Sequence, residues 1–273
     1  MLRDLSGVHR PHLSLAIVAT AVVIISPAAA HAMRVSPMVV EMTTAGTGAV
    51  ARVEVQNLNT VNLPYETRIT EIHFDDKGAM TETPADDQFL VFPPQGVLAP
   101  GARQVVRVQW VGDPKLAVSK AFYLSVNELP VQLGPAAKDT LAAQVQVVYH
   151  MKALVTVAPP KAAPKVEIVS AKPVTITAKP SVAGMPTPPD VGKPGVEVVV
   201  RNTGNRYAMM SGEPWTISGT GADGKPLKVV LSVDDLNRDI GVGYLAPANG
   251  LRTFQVPTGA AFRPASIKVT FGK

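Results

Sequence analysis

The sequence predicts an all-β protein, two antiparallel sandwiches behind a leader segment. Three observations carry that reading. Apolar and polar residues alternate with period two, turn-forming residues recur between the alternating runs, and a proline cluster divides the chain near its middle. Composition agrees with it. The chain has 273 residues, 46% of them hydrophobic and 17% charged, enough to fill two cores. It contains no Cys, which excludes a disulfide-stapled miniprotein and a Cys-ligated zinc or iron–sulfur site.

Residues 1–32 have the order of a secretory signal peptide: Arg3 and Arg10, an apolar stretch from Leu13 to Ile25, then Ala30-His31-Ala32. The apolar stretch is shorter than the ~20 residues of a membrane span, although an N-terminal anchor helix is the competing reading. Cleavage after Ala32 would leave Met33 as the first residue of an exported chain. Nothing after residue 32 is apolar for long enough to cross a bilayer as a helix.

Strands are expected at Arg52–Asn57, Arg68–Ile72 and Arg103–Trp110, each with one apolar and one wet face. Turns are expected at Asp75-Asp76-Lys77-Gly78 and Ala99-Pro100-Gly101. Pro93-Pro94 stands between two apolar strands and cannot donate ladder bonds, so it marks a sandwich edge or a strand changing sheets. No window of 11 residues reads as an amphipathic helix. Pro159, Pro160 and Pro164 end the first half, giving domains at 33–158 and 166–273 joined by a 159–165 linker. Val53-Glu54-Val55-Gln56-Asn57 is echoed by Val196–Asn202, a strand running into an Asn turn, which points to two domains of one type. Ala178–Gly195 carries five prolines and three glycines and reads as a long hairpin loop.

Catalytic readings fail one after another. His9, His12 and His31 go with the leader, leaving His73 and His150 without Cys to complete a metal site. His73 follows an alternating strand and reads as solvent-facing. The chain has no nucleophile elbow and no phosphate loop. Asp86-Asp87 and Asp234-Asp235 are explained by turn chemistry. A net charge of +5 without a dense basic run gives no nucleic-acid footprint. The chain is read as a non-enzyme with no cofactor and no metal.

Three segments give the first half a family likeness. They are Val53–Asn57 with Leu63-Pro64-Tyr65; Phe89-Leu90-Val91-Phe92-Pro93-Pro94 with Leu98-Ala99-Pro100-Gly101 and Gln104-Val105-Val106-Arg107; and Phe122-Tyr123-Leu124-Ser125-Val126-Asn127-Glu128-Leu129-Pro130. In order and spacing they resemble the periplasmic chaperones of chaperone–usher pilus assembly, over roughly residues 34–160. The second half is more faintly similar, through Asn202-Thr203-Gly204, Tyr207 and Tyr244-Leu245-Ala246-Pro247. The resemblance implies immunoglobulin-like sandwiches set at an angle, a cis first bond at Pro93-Pro94, a periplasmic location, and pilin subunits and an outer-membrane usher as partners.

It also implies a mechanism. Pilins lack a final strand, and the chaperone supplies one edge strand whose alternate apolar side chains enter the gap. The matching segment is Leu141–His150, where Val145, Val147 and Tyr149 alternate with Gln144, Gln146 and His150. An ordinary closing strand of a sandwich would alternate in the same way. Departures from the family are local. Met38 stands where members carry an Arg, and Leu154 where they carry a Lys, the pair that holds the pilin's terminal carboxylate. Ser119 and Ala158 replace the ionic pair at the domain junction, so a looser hinge is expected. These changes fit an archaic-type branch. Lys152, about 7 Å from Leu154 on the same strand face, is then the first candidate anchor, with Arg107 and Arg34 beside it. A periplasmic or surface ligand-binding module and a structural pilus component are the alternative readings.

Overall fold

The computed structural model describes residues 33–130, 147–177 and 192–272. The leader, Val145 and most of the expected donor segment lie outside these residues. Ten strands build the first sandwich: β1 (Met33–Ser36), β2 (Val39–Thr43), β3 (Val50–Asn57), β4 (Leu63–Phe74), β5 (Met80–Pro84), β6 (Phe89–Phe92), β7 (Gln95–Leu98), β8 (Arg103–Trp110), β9 (Lys120–Glu128) and β10 (His150–Ala158). One sheet runs β1-β3-β8-β6; the other runs β2-β10-β9-β4-β5, with β7 also on β4. The alternation read from the sequence becomes the core. Val53, Val55, Val106 and Val108 from one sheet meet Ile69, Phe122, Leu124 and Val155 from the other. Phe122 stands edge-on to Phe89 with ring centroids 4.8 Å apart.

Two proline steps carry the chain from sheet to sheet. Pro93-Pro94 separates β6 from β7, which belong to different sheets, and the Phe92–Pro93 bond is cis. Both readings of that motif hold, since the chain changes sheets there and β6 is the outer strand of its own sheet. Pro37, also after a cis bond, does the same between β1 and β2, and no sequence reading anticipated it. A residue without an N–H costs least where the ladder is being abandoned anyway.

The second sandwich comprises β11 (Val166–Ile176), β12 (Lys193–Asn202), β13 (Ala208–Met209), β14 (Trp215–Thr220), β15 (Pro226–Leu231), β16 (Tyr244–Leu245), β17 (Gly250–Pro257) and β18 (Lys268–Phe271). Sheets β11-β12-β17 and β15-β14-β18 enclose Val196, Val198, Val200, Trp215, Ile217 and Phe254. Residues 159–165, with their three prolines, carry no strand. β11 and β12 pair antiparallel as the hairpin reading requires. Pairing reaches further than expected, because Lys193, Pro194 and Gly195 already face Ile176, Thr175 and Val174.

One element was missed. α1 (Val233–Ile240) is a helix of 8 residues, too short to give an 11-residue amphipathic pattern. Its signal was present as a capping box. The Asp235 N–H donates to Ser232 Oγ at 3.1 Å, and the Ser232 N–H donates to the Asp235 carboxylate at 3.1 Å. Asp234-Asp235, read as a turn, is thus the first turn of a helix, where acidic residues also complement the helix dipole.

The internal echo has a structural meaning. Asn57 and Asn202 each end a central strand and are fully buried. Asn57 Nδ2 donates to the Val61 and Leu98 carbonyls at 2.8 and 2.9 Å, and its Oδ1 accepts from the Asn59 N–H at 2.8 Å. Asn202 repeats the device, donating to the Arg206 carbonyl and accepting from the Lys165 and Gly204 N–H groups. Both sandwiches use one amide to tie a strand end to two neighbouring segments.

Candidate functional site

β10 is paired on one side along almost its whole length and on the other along only half of it. β9 accompanies it from His150 to Val157, but β2 only from Leu154 to Ala158. The cause is the sheet change at Pro37: β2 begins after that crossing, and the Leu154 N–H donating to the Met38 carbonyl at 2.9 Å is where it reaches β10. Backbone groups repeat their direction every two residues, so His150 and Lys152 aim N–H and C=O toward the same side as Leu154. Among the described residues no strand meets them there. An unpaired edge of this kind is a template for a further strand.

The side chains of this segment divide by parity. Ala153, Val155 and Val157 are in the first core, and Tyr149 and Met151 pack against it. Glu128 and Tyr149 are tied reciprocally, through the Glu128 N–H to the Tyr149 carbonyl at 2.9 Å and the Tyr149 N–H to the Glu128 carboxylate at 3.1 Å. Val147 continues the same phase but is 61% exposed, an apolar side chain in step with the core yet outside it. The opposite parity faces the second sandwich. Leu154 joins Ile72, Ala121, Tyr207 and Tyr244 in an apolar cluster drawn from both halves.

Beside that cluster lies a cavity of about 240 Å³ lined by Met38, Phe74, Tyr123, Lys152, Leu154 and Tyr244, among others. Met38 and Leu154, the apolar replacements noted in the sequence, therefore share one cavity with Lys152. The Lys152 ammonium contacts Glu82 Oε1 at 2.6 Å and lies 5.5 Å from the Tyr123 ring centroid. Glu82 also accepts from Thr70 Oγ1 at 2.8 Å. The hydrogen bond from Lys152, foremost, holds the Glu82 carboxyl below its ordinary range. Burial, foremost, raises the Tyr123 phenol.

Arg252 on β17 is a cation that sequence reading did not single out. Its guanidinium lies 5.0 Å from the Phe74 ring centroid and 5.1 Å from that of Phe254, and Nη1 donates to the Tyr244 carbonyl. Desolvation lowers its pKa. It presses on the β4–β5 turn, where the Thr253 N–H also donates to the Asp76 carbonyl at 2.9 Å. Gly78 in that turn has φ +86°, which favours Gly, and a Cβ there would stand 2.8 Å from Arg252 Nη2 and push the guanidinium aside. Contacts between residues so far apart in the chain leave no local pattern.

Arg107 and Arg34 lie elsewhere. Arg107 is exposed between buried Val106 and Val108 on β8, and its Nη2 donates to Gln109 Oε1 at 2.8 Å. Arg34 is exposed between buried Met33 and Val35 on β1. Both belong to the β1-β3-β8-β6 sheet, whereas Lys152 belongs to the other. His73 is exposed on β4 and His150 on β10, with β9 between those strands. Among the described residues no group of three His, Cys, Asp or Glu could hold a metal. Nor is any helix there long and apolar enough to cross a membrane.

The junction that lost its ionic pair is bridged by other bonds. Ser119 Oγ accepts from the Tyr207 N–H at 2.8 Å, and the Ser119 N–H donates to the Asn205 carbonyl at 2.9 Å. Arg206 pairs with Glu41 at 3.2 Å, and the Tyr207 hydroxyl donates to the same carboxylate. Tyr207 stacks on Tyr244 with centroids 5.7 Å apart. Burial raises both phenols. These bonds cross the junction at which a looser hinge was expected.

Comparison with known proteins bears on residues 19–162, just over half the chain. They match the family model described as "Pili and flagellar-assembly chaperone, PapD N-terminal domain". No curated protein matches the chain. Among solved structures, the E. coli chaperone DraB is similar at 16% identity and a TM-score of 0.47, over 89% of this chain and 96% of that one. A chain from the Salmonella enterica SafA pilin–SafB chaperone complex is similar at 13% identity and 0.49, over 88% and 96%. A chain from a chaperone–tip adhesin complex of CFA/I fimbriae is similar at 12% and 0.49, over 88% and 98%.

Proposed function

Because the chain belongs to the family of pili and flagellar-assembly chaperones, we propose that it works in the periplasm, capturing pilin subunits on the open edge of β10 and handing them to an outer-membrane usher. One observation carries the reading. β10 is paired on both sides from Leu154 to Val157 and on one side only before Leu154. A subunit short of its last strand needs that arrangement: a strand held firmly by its own domain, with N–H and C=O groups still available along one edge. Val147 continues the parity of the core residues Ala153 and Val155, and with Val145, of the same parity in the sequence, and the outer part of Tyr149 it would fill the subunit's gap.

The subunit's chain end would lie toward the cleft at Leu154. A carboxylate arriving there needs a cation or several donors, since an unpaired buried charge is expensive. Of the cations Lys152, Arg107 and Arg34, the first lines the cavity, which supports anchoring at Lys152. The test is co-expression with the pilin genes of the same organism. A subunit recovered as a soluble one-to-one complex only when this chain is present is the expected result. Equal recovery of the subunit without it would contradict the proposal.

A further inference from the structure

Lys152 already has a carboxylate partner. Glu82 reaches it from β5, the outermost strand of that sheet, at 2.6 Å. The side chains are 43% and 24% exposed, so the pair can exchange partners without unfolding anything. Glu82 keeps a second hydrogen bond, from Thr70 Oγ1, when Lys152 leaves it. The neighbouring Arg252 is engaged elsewhere, its guanidinium stacked on Phe74 and Phe254 and bonded to the Tyr244 carbonyl.

We infer that Glu82 is an internal stand-in for the partner's terminal carboxylate, and that it limits how tightly the cleft holds an acidic chain end. The inference rests on the proposed anchoring at Lys152. An ammonium offers three donors on one small centre, so a second carboxylate must either displace Glu82 or crowd against it. Both routes subtract from binding, the first through a lost pair and the second through like-charge repulsion. Glu82 therefore biases capture toward subunits that also pair well with β10, since the chain end alone gains little.

The probe is a fluorescent peptide of alternating Val and Thr, eight residues long, made with a free C-terminal carboxylate and as the C-terminal amide. Wild-type protein should prefer the carboxylate form. Glu82→Gln, close in shape and neutral, should bind the carboxylate peptide about fivefold more tightly, the scale of one partly exposed ion pair. Its affinity for the amide should not change. Thr70→Val, which removes a hydrogen bond but leaves the Glu82 charge, should not tighten binding. Lys152→Met should abolish the preference with or without Glu82, and Glu82→Ala serves if the Gln variant fails to fold. Preference for the carboxylate in wild type, with no gain in either Glu82 variant, would overturn the stand-in role and leave the anchor intact. Equal binding of both peptides by wild type would overturn the anchor and this inference together.

Discussion

Val147→Asp should leave the free protein folded and abolish subunit capture. Val147 is 61% exposed, so the substitution removes little buried area and its carboxylate stays in water. Inside a subunit's gap the same carboxylate would be desolvated with no cation to meet it, at a cost of several kcal/mol. Each 1.4 kcal/mol is tenfold, so a loss of more than about a hundredfold in affinity is expected. Thermal melts of the free variant, paired with co-purification of the subunit, separate the two effects. A melting temperature well below that of the wild type would mean that Val147 is internal and that the edge assignment is wrong.

Asn57→Ala should have the largest effect on stability for a change that removes no apolar packing. The residue is fully buried, and its amide satisfies the Val61 and Leu98 carbonyls and the Asn59 N–H. Alanine leaves those groups without partners, at about 1–3 kcal/mol for a buried unsatisfied group. A net loss of about 3–5 kcal/mol is expected, since the three terms do not simply add. Denaturant titration of the full chain measures it. A loss below about 1 kcal/mol would show that water replaces the amide and that the Asn has no structural role.

These two residues also mark how far the sequence could be read. Asn57 ends an alternating run, and the echo at Asn202 was visible as a repeated strand-then-Asn pattern, although the bonds from each amide to a distant segment, at Leu98 and Lys165, were not. Strand faces were legible as a local pattern too, since period two in Val53, Val55, Val106 and Val108 is the core itself. The capping box at Ser232 and Asp235 was equally local but belonged to a helix of only 8 residues. What could not be read was long-range. The half-paired state of β10 depends on where Pro37 sends β2, and the environment of Lys152 depends on a Glu 70 positions away. Arg252 reaches a turn more than a hundred residues distant. Of the three candidate cations, Lys152 lines the cavity with Leu154, as shared parity on one strand implies, whereas Arg107 and Arg34 sit on the other sheet. Neither residue type nor charge encodes which sheet a strand will join.

Amide hydrogen exchange at His150 and Lys152 tests the donated edge most directly. Both N–H groups aim at the side of β10 that no described strand occupies, while those of Met151 and Ala153 aim at β9. In the free protein His150 and Lys152 should exchange far faster than Met151 and Ala153. Binding a subunit should slow exchange at His150 and Lys152 selectively, by at least tenfold, because a new ladder forms along that edge alone. Subunit binding that leaves both amides as fast as before would contradict strand donation by β10.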